Sequence, residues 1–236
     1  MAYSPRKRAR SQTPHIRHWP KGGDEPKIQG FMGYKAGMTH ALVIDYRPTS
    51  TTSGREVVMP VSVVETPPMK IAAVRFYTET NKGFQTAGEI WSEKLDAELA
   101  KRLSLPKKSK KQNWNGAKNS DDIRVLVYSQ PKLVKGIPKK VPEIREMRVS
   151  GGSIEEKVEY VKEILGKDLT VNDVVREGDM LDFIAITKGK GFQGHVQRWG
   201  VKLLSHKNSK HRRMIGTAGS WHPNWVQAMV PQAGQM

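Results

Sequence analysis

From Phe31 onward the chain has three β-branched, partly alternating runs, 39–46, 55–65 and 70–79, separated by clusters of Pro, Gly, Ser and Thr. Alternation of period two puts every second side chain on one face, so each run predicts a strand. Three strands this close in sequence predict a meander or small barrel. Residues 92–103 (SEKLDAELAKRL) space their apolar positions as a helix does, with Ser92 placed as its N-cap. A basic polar loop follows over 106–120, then strands over 122–130 and 143–150, the second running into Gly151 and Gly152. Residues 153–166 make the best helix in the chain. Ser153 can cap it, Glu155 and Glu156 favour its positive end, and Gly166 stops it. Residues 168–187 return to a strand pattern, with a turn at Glu177–Gly178.

The two ends lack such patterning. Residues 1–30 read as extended and irregular, punctuated by Pro5, Pro14, Pro20 and Pro26. Residues from Lys188 onward are Gly-rich and without periodicity, roughly fifty residues of loop, which a compact domain rarely carries without a partner or a function.

Charge marks the same two ends. The 236 residues contain 40 Lys and Arg against 23 Asp and Glu, a net charge of +17. Residues 1–23 hold six bases and no acid, and after Asp182 eight bases follow with no acid at all. These segments carry fourteen of the seventeen excess charges, so the middle is nearly balanced. The pattern is an ordinary globular body with two cationic arms. A charge run can be no more than a solvated tail, but the second arm mixes its cations with Gly, Trp, His and Phe. Such a segment cannot bury enough apolar area to order itself. A phosphate backbone supplies the counter-charge and releases condensed ions as it binds.

Composition narrows the classes further. No apolar run approaches the ~20 residues a membrane helix needs. Nothing after Met1 resembles a signal peptide, and the absence of cysteine removes disulfides and thiolate metal sites and agrees with a reducing cytosol. GKGFQG (189–194) satisfies G-x-G-x-x-G after a predicted strand, yet no acid follows for a ribose and Gly200 argues against a long helix. Close approach of backbone to phosphate is the better account of these glycines and their flanking lysines. His195, His206, His211 and His222 lack nearby carboxylates, and the surrounding cations oppose a metal ion. Ser205, Ser209 and Ser220 lie near histidines without an orienting acid. Phe192, Trp199, Trp221 and Trp225 sit among Lys, Arg and His. Phe192 and Trp199 can equally be core anchors. Trp221 and Trp225 bracket His222–Pro223–Asn224, a stiff unit suited to stacking on unpaired bases.

YKAGMT (34–39), TKGKGFQGHVQRWG (187–200), HKNSKHRR (206–213), GTAGSWHP (216–223) and PQAGQM (231–236) together resemble the universal third large-subunit ribosomal protein family. The resemblance runs from the N-terminal PRKRAR to the last residue, and the stretch between about 80 and 175 resembles the archaeal and eukaryotic branch.

The resemblance implies a mostly β fold: a translation-factor-like β-barrel carrying an α/β insert, with an extended N-terminal arm and a long central loop threading rRNA. On this chain the arm would be residues 1–30, the insert 81–175, and the barrel body 31–80 with 176–236, including the loop 188–230. It implies a further strand-rich segment after AGQM that would complete the barrel. It implies a cytoplasmic ribosomal role in subunit assembly, in the surroundings of the peptidyl-transferase centre and beside the factor-binding region. The partners would be large-subunit rRNA and neighbouring large-subunit ribosomal proteins, with no membrane, small-molecule substrate, cofactor or catalytic residue.

With the charge map, the expected RNA contacts are Arg6, Lys7, Arg8, Arg10 and Arg17 in the arm and Lys35 in YKAGMT. In the loop they are Lys188, Lys190, Arg198, Trp199, Lys202, Lys207, Lys210, His211, Arg212, Arg213, Trp221 and His222, with Trp221 at the tip. Two other classes are an enzyme built on GKGFQG and the histidines, and a basic nuclear or DNA-architectural protein resting on PRKRAR. The latter leaves WHPNW unexplained.

Overall fold

The computed structural model describes residues 7–105, 114–117, 120–222, 224–225 and 229–234. By its contacts the chain divides into two units, residues 16–182 and residues 1–15 with 183–236.

The first unit is built around β4 (Met69–Thr80), whose first half is apolar on both faces, as a central strand requires. It pairs antiparallel with β5 (Gly83–Trp91) and with β6 (Asp122–Tyr128). Next to β6 lies β7 (Ile144–Ser150), and next to that the two-residue β1 (Lys27–Ile28). The short β8 (Asp168–Leu169) pairs the start of β4. On one face, Ile71, Val74, Phe76, Ile123, Val125, Val127 and Val149 form the core, closed by Val161 of α1 (Ile154–Ile164). Burying each such side chain contributes about 1.5–3 kcal/mol. α1 begins as its sequence predicts: Ser153 Oγ accepts from the Glu156 amide, and the Glu156 carboxylate accepts from the Ser153 amide.

Residues 16–30 belong to this unit. β1 pairs with β7, the Gln29 amide donates to the Arg148 carbonyl at 2.9 Å, and Trp19 packs against the core. Gly151 (φ +85°) makes the close fit possible, because a Cβ there would lie 2.0 Å from the Glu25 carbonyl oxygen.

β2 (Tyr34–Ile44) and β3 (Glu56–Glu65) form a separate antiparallel hairpin, with a register shift between Lys35 and Gly37. The Tyr34 hydroxyl donates to Ser129 Oγ at 3.2 Å, which ties the hairpin base to the sheet. Further out, Met38, Leu42 and Val58 are exposed on one face, and Met59 and Val63 on the other. The chain is therefore mostly β, but among the described residues its strands form open antiparallel sheets and no closed barrel.

Two sequence expectations are corrected. The predicted helix over 92–103 is one 3₁₀ segment, Ala97–Lys101, preceded by Asp96. Ser92 is not a cap: its amide donates to the Ala72 carbonyl at 2.8 Å, prolonging sheet pairing. Lys70 and the Tyr128 hydroxyl both donate to the Asp96 carboxylate, and Leu99 is fully buried against Ala72 and Tyr128. Tertiary contacts thus fix this segment in a shape an α-helix would not fit. The predicted strand over 168–187 is limited to β8. A four-residue helix, α2 (Val171–Val174), interrupts it, with the Thr170 amide and hydroxyl donating to Asp173. Of the loop expected over 106–120, residues 106–113 and 118–119 lie outside the described residues. Trp114–Ala117 is a 3₁₀ turn whose Trp114 ring stands edge-on to Phe76.

Candidate nucleic-acid interface

Cations in a protein either find internal carboxylates or face solvent and partners, and this chain separates the two kinds. Among the described residues every ion pair lies in the first unit, between Asp45 and Arg148. The densest set crosses the open face of the sheet. Glu89, Arg75, Arg124 and Arg148 are cross-strand neighbours on β5, β4, β6 and β7. Asp122, whose side chain is 2% exposed, accepts from Arg124 Nε and Arg148 Nε, each at 2.9 Å. The Arg124 guanidinium also lies 4.6 Å from the centre of the Tyr77 ring. Burial opposes the charge on Arg75, yet hydrogen bonds with Tyr77 and Glu89 hold its pKa above the ordinary value. At the hairpin turn, the Asp45 carboxylate accepts twice from the Arg47 guanidinium, once from the Arg47 amide and once from the Thr52 hydroxyl. Arg47 and then Thr52 hold that carboxyl well below the usual carboxylate range.

The second unit has no carboxylate after Asp182 to pair with. Lys7, Arg8 and Arg10 are exposed in its N-terminal part, as are Lys188, Lys190, Lys202, Lys207, Lys210, His211, Arg212, Arg213, Trp221 and His222 in the long segment. Arg198 is half-buried and Trp199 exposed. Arg17 and Lys35 are exposed on the first unit, Lys35 lying opposite Val64 on the hairpin. Arg6 lies outside the described residues, as do Pro223 of GTAGSWHP and the last two residues of PQAGQM.

Short backbone motifs shape the long segment. GKGFQG leads into α3 (His195–Trp199), a five-residue helix that Gly200 ends in the left-handed conformation (φ +68°). This is too short to orient a pyrophosphate in the Rossmann manner. Phe192 and Trp199 belong to neither apolar cluster of the first unit. The Phe192 ring lies against Gly234, where a Cβ would come within 2.3 Å of it, and the Gly234 amide donates to the Gln193 carbonyl. This closure joins Gly234 to residues far back along the chain and had no sequence signal.

HKNSKHRR folds on itself. The Leu204 amide donates to the Arg212 carbonyl at 3.0 Å, and successive turns bond Asn208 to Ser205, His211 to Asn208 and Met214 to His211. Their side chains leave a cleft lined by Leu203, Ser209, Lys210, His211, Arg212, Arg213 and Met214. Four of these are predicted RNA contacts. Leu203 and Met214, its apolar walls, were not legible as part of any site.

Among the described residues no three His, Asp or Glu side chains assemble in a way that could hold a metal ion, and no helix is long and apolar enough to cross a membrane. Exposed unpaired cations, interleaved aromatics and short self-closed turns suit a phosphate backbone with splayed bases.

The sequence profile of ribosomal protein L3 matches residues 1–122 and 114–236. The chain is 53% identical to large ribosomal subunit protein uL3 of Archaeoglobus fulgidus, over all of this chain and 72% of that protein. It is 49% identical to the protein of the same name from Thermoplasma acidophilum and 47% identical to that of Picrophilus torridus, in each case over all of this chain and 71% of the relative. The chain belongs to the ribosomal protein L3 family.

Proposed function

We propose that this chain is a structural constituent of the large subunit of the cytoplasmic ribosome, binding rRNA through its two acid-free segments and touching neighbouring ribosomal proteins. The observation that carries the reading is the segregation of charge: the described ion pairs are confined to residues 45–148, while the cations of residues 183–234 are left for an external polyanion. Neutralising phosphates and releasing their counterions supplies the affinity. The exposed Trp221 and Trp225 supply stacking on unpaired bases. The expected contacts are those of the sequence analysis, with Trp221 near the peptidyl-transferase centre. The family's role is structural, and the peptidyl transfer nearby belongs to RNA.

The same reading places β2 and β3 in a translation-factor-like barrel body, residues 31–80 with 176–236, and treats 81–175 as an insert on β4. The exposed apolar side chains of the hairpin support it, since strands with naked apolar faces require further strands to cover them.

The test is binding of the chain to large-subunit rRNA across a salt series. A slope that flattens by about one for each arm lysine replaced by glutamine is expected. Binding indifferent to salt, or saturable binding of a dinucleotide instead, would overturn the reading.

A further inference from the structure

The two faces of the β2–β3 hairpin differ in character. On one, Ala41 and Val43 lie opposite Met59 and Val57, with Val61 and Val63 further along β3, and no side chain of this set ionises. A barrel's inner wall requires such a continuous apolar set, and Ala41, Val57 and Val61 are already half-buried. The other face mixes apolar and polar side chains. Leu42 and Val58 stand directly opposite each other there, 68% and 60% exposed, with Met38 and Ile44 exposed on either side. Ser62 lies opposite Met38 and Glu56 opposite Ile44.

Successive side chains of a strand point to opposite faces. A barrel that takes Val57 and Val61 inward therefore turns Leu42 and Val58 outward. Closing the barrel leaves this second patch bare, over about 20 Å from Met38 to Ile44. A contiguous apolar patch with a polar rim marks a contact surface.

Charge decides what that surface meets. Residues 38–44 and 56–62 contain no Lys or Arg, in a chain that has 40 of them. Lys35 stands beyond the register shift, at the hairpin base. Glu56 is exposed and forms no ion pair among the described residues. A phosphate backbone would find no counter-charge here and would be repelled by Glu56. A protein surface suits both features, with aliphatic side chains against Leu42 and Val58 and a lysine or arginine against Glu56.

We propose that the outer face of the hairpin, centred on Leu42 and Val58, docks a neighbouring protein of the large subunit through an aliphatic surface with a basic residue set against Glu56. The inference rests on the ribosomal and barrel reading and deepens it, because it gives one face of the chain to protein and not to RNA.

The test places the photo-crosslinker p-benzoylphenylalanine at Leu42 or at Met59 of the full chain and irradiates assembled large subunits. From Leu42 the expected product joins this chain to a second protein, identified by mass spectrometry. From Met59 the expected product is internal to this chain. RNA attached at Leu42 would overturn the proposal, as would the absence of any product there. An internal product at Leu42 would also overturn it, since the barrel itself would then cover this face. Leu42→Lys together with Val58→Lys should lower retention of the second protein in salt-washed subunits at least about fivefold, and unchanged retention would count against the docking. A product from Met59 that leaves this chain would instead sink the barrel reading, and failure of the unaltered chain to enter large subunits would sink the ribosomal one.

Discussion

Arg75 on β4 and Arg124 on β6 face each other across the sheet and share one carboxylate: Glu146 accepts from Arg75 Nη1 at 3.3 Å and from Arg124 Nη1 at 3.4 Å. Two guanidinium groups side by side would repel, and the shared acid turns the repulsion into a bridge. Within a strongly basic chain, this is how the body keeps its own cations occupied.

Glu146→Gln should therefore destabilise the first unit. It leaves two partly buried arginines adjacent, with only Glu89 and Asp122 nearby to balance them. The expected loss is about 1–2 kcal/mol, below the cost of breaking a fully buried pair. Urea denaturation of the full chain measures it, and the salt slope of RNA binding should not change.

Gly151→Ala tests how residues 16–30 are held. The left-handed backbone costs an alanine about 1–2 kcal/mol, and its Cβ would meet the Glu25 carbonyl. Release of the β1–β7 pairing is expected, seen as faster amide hydrogen exchange at Gln29, whose amide bonds the Arg148 carbonyl, with the β4–β6 amides still protected. Unchanged exchange at Gln29 would show that the close contact is not needed.

Asp45 should act as an acid-sensitive latch on the β2–β3 turn. Its folded pKa is depressed, with hydrogen bonds from Arg47 and then Thr52 as the main causes. A depressed carboxylate stabilises the fold above its unfolded pKa of about 3.9, and that contribution is lost as pH falls toward the folded value. The turn should thus be insensitive between pH 7 and about pH 5 and loosen in stronger acid. Carboxyl carbon shifts of Asp45 followed by NMR would show it. A midpoint at the ordinary aspartate value would mean the latch contributes nothing.

Trp221→Ala should leave stability within about 0.5 kcal/mol, the range of exposed positions away from special features, because the ring is 69% exposed. Its effect belongs in subunit assembly or function, measured by incorporation into large subunits and their activity. Unfolding of the first unit by this change would make Trp221 a core residue instead.

Local pattern was enough for much of the body. β-branched, partly alternating runs marked β2, β3 and β4, short strand patterns marked β6 and β7, and Ser153 with the acids after it marked α1, because each signal is carried by neighbouring residues. β5 escaped notice: GFQTAGEIW is largely polar and Gly-containing, and it becomes a strand only because β4 offers its edge. The helix expected at 92–103 failed for the opposite reason, a good local pattern overridden by Lys70, Ala72 and Tyr128 from the sheet.

The interface divides along the same line. Which residues are cationic, that no acid accompanies them after Asp182, and which family the motifs resemble are properties of the residue order alone. Which cations remain available is not. Arg75, Arg124 and Arg148 look like the arm residues in sequence, yet pairing across strands occupies them. Arg212 becomes distinct from Lys207 only when Leu204, eight residues away, closes the loop on it. A charge is a property of one side chain, but its neutralisation depends on groups distant along the chain, and only the folded backbone brings them within hydrogen-bonding reach.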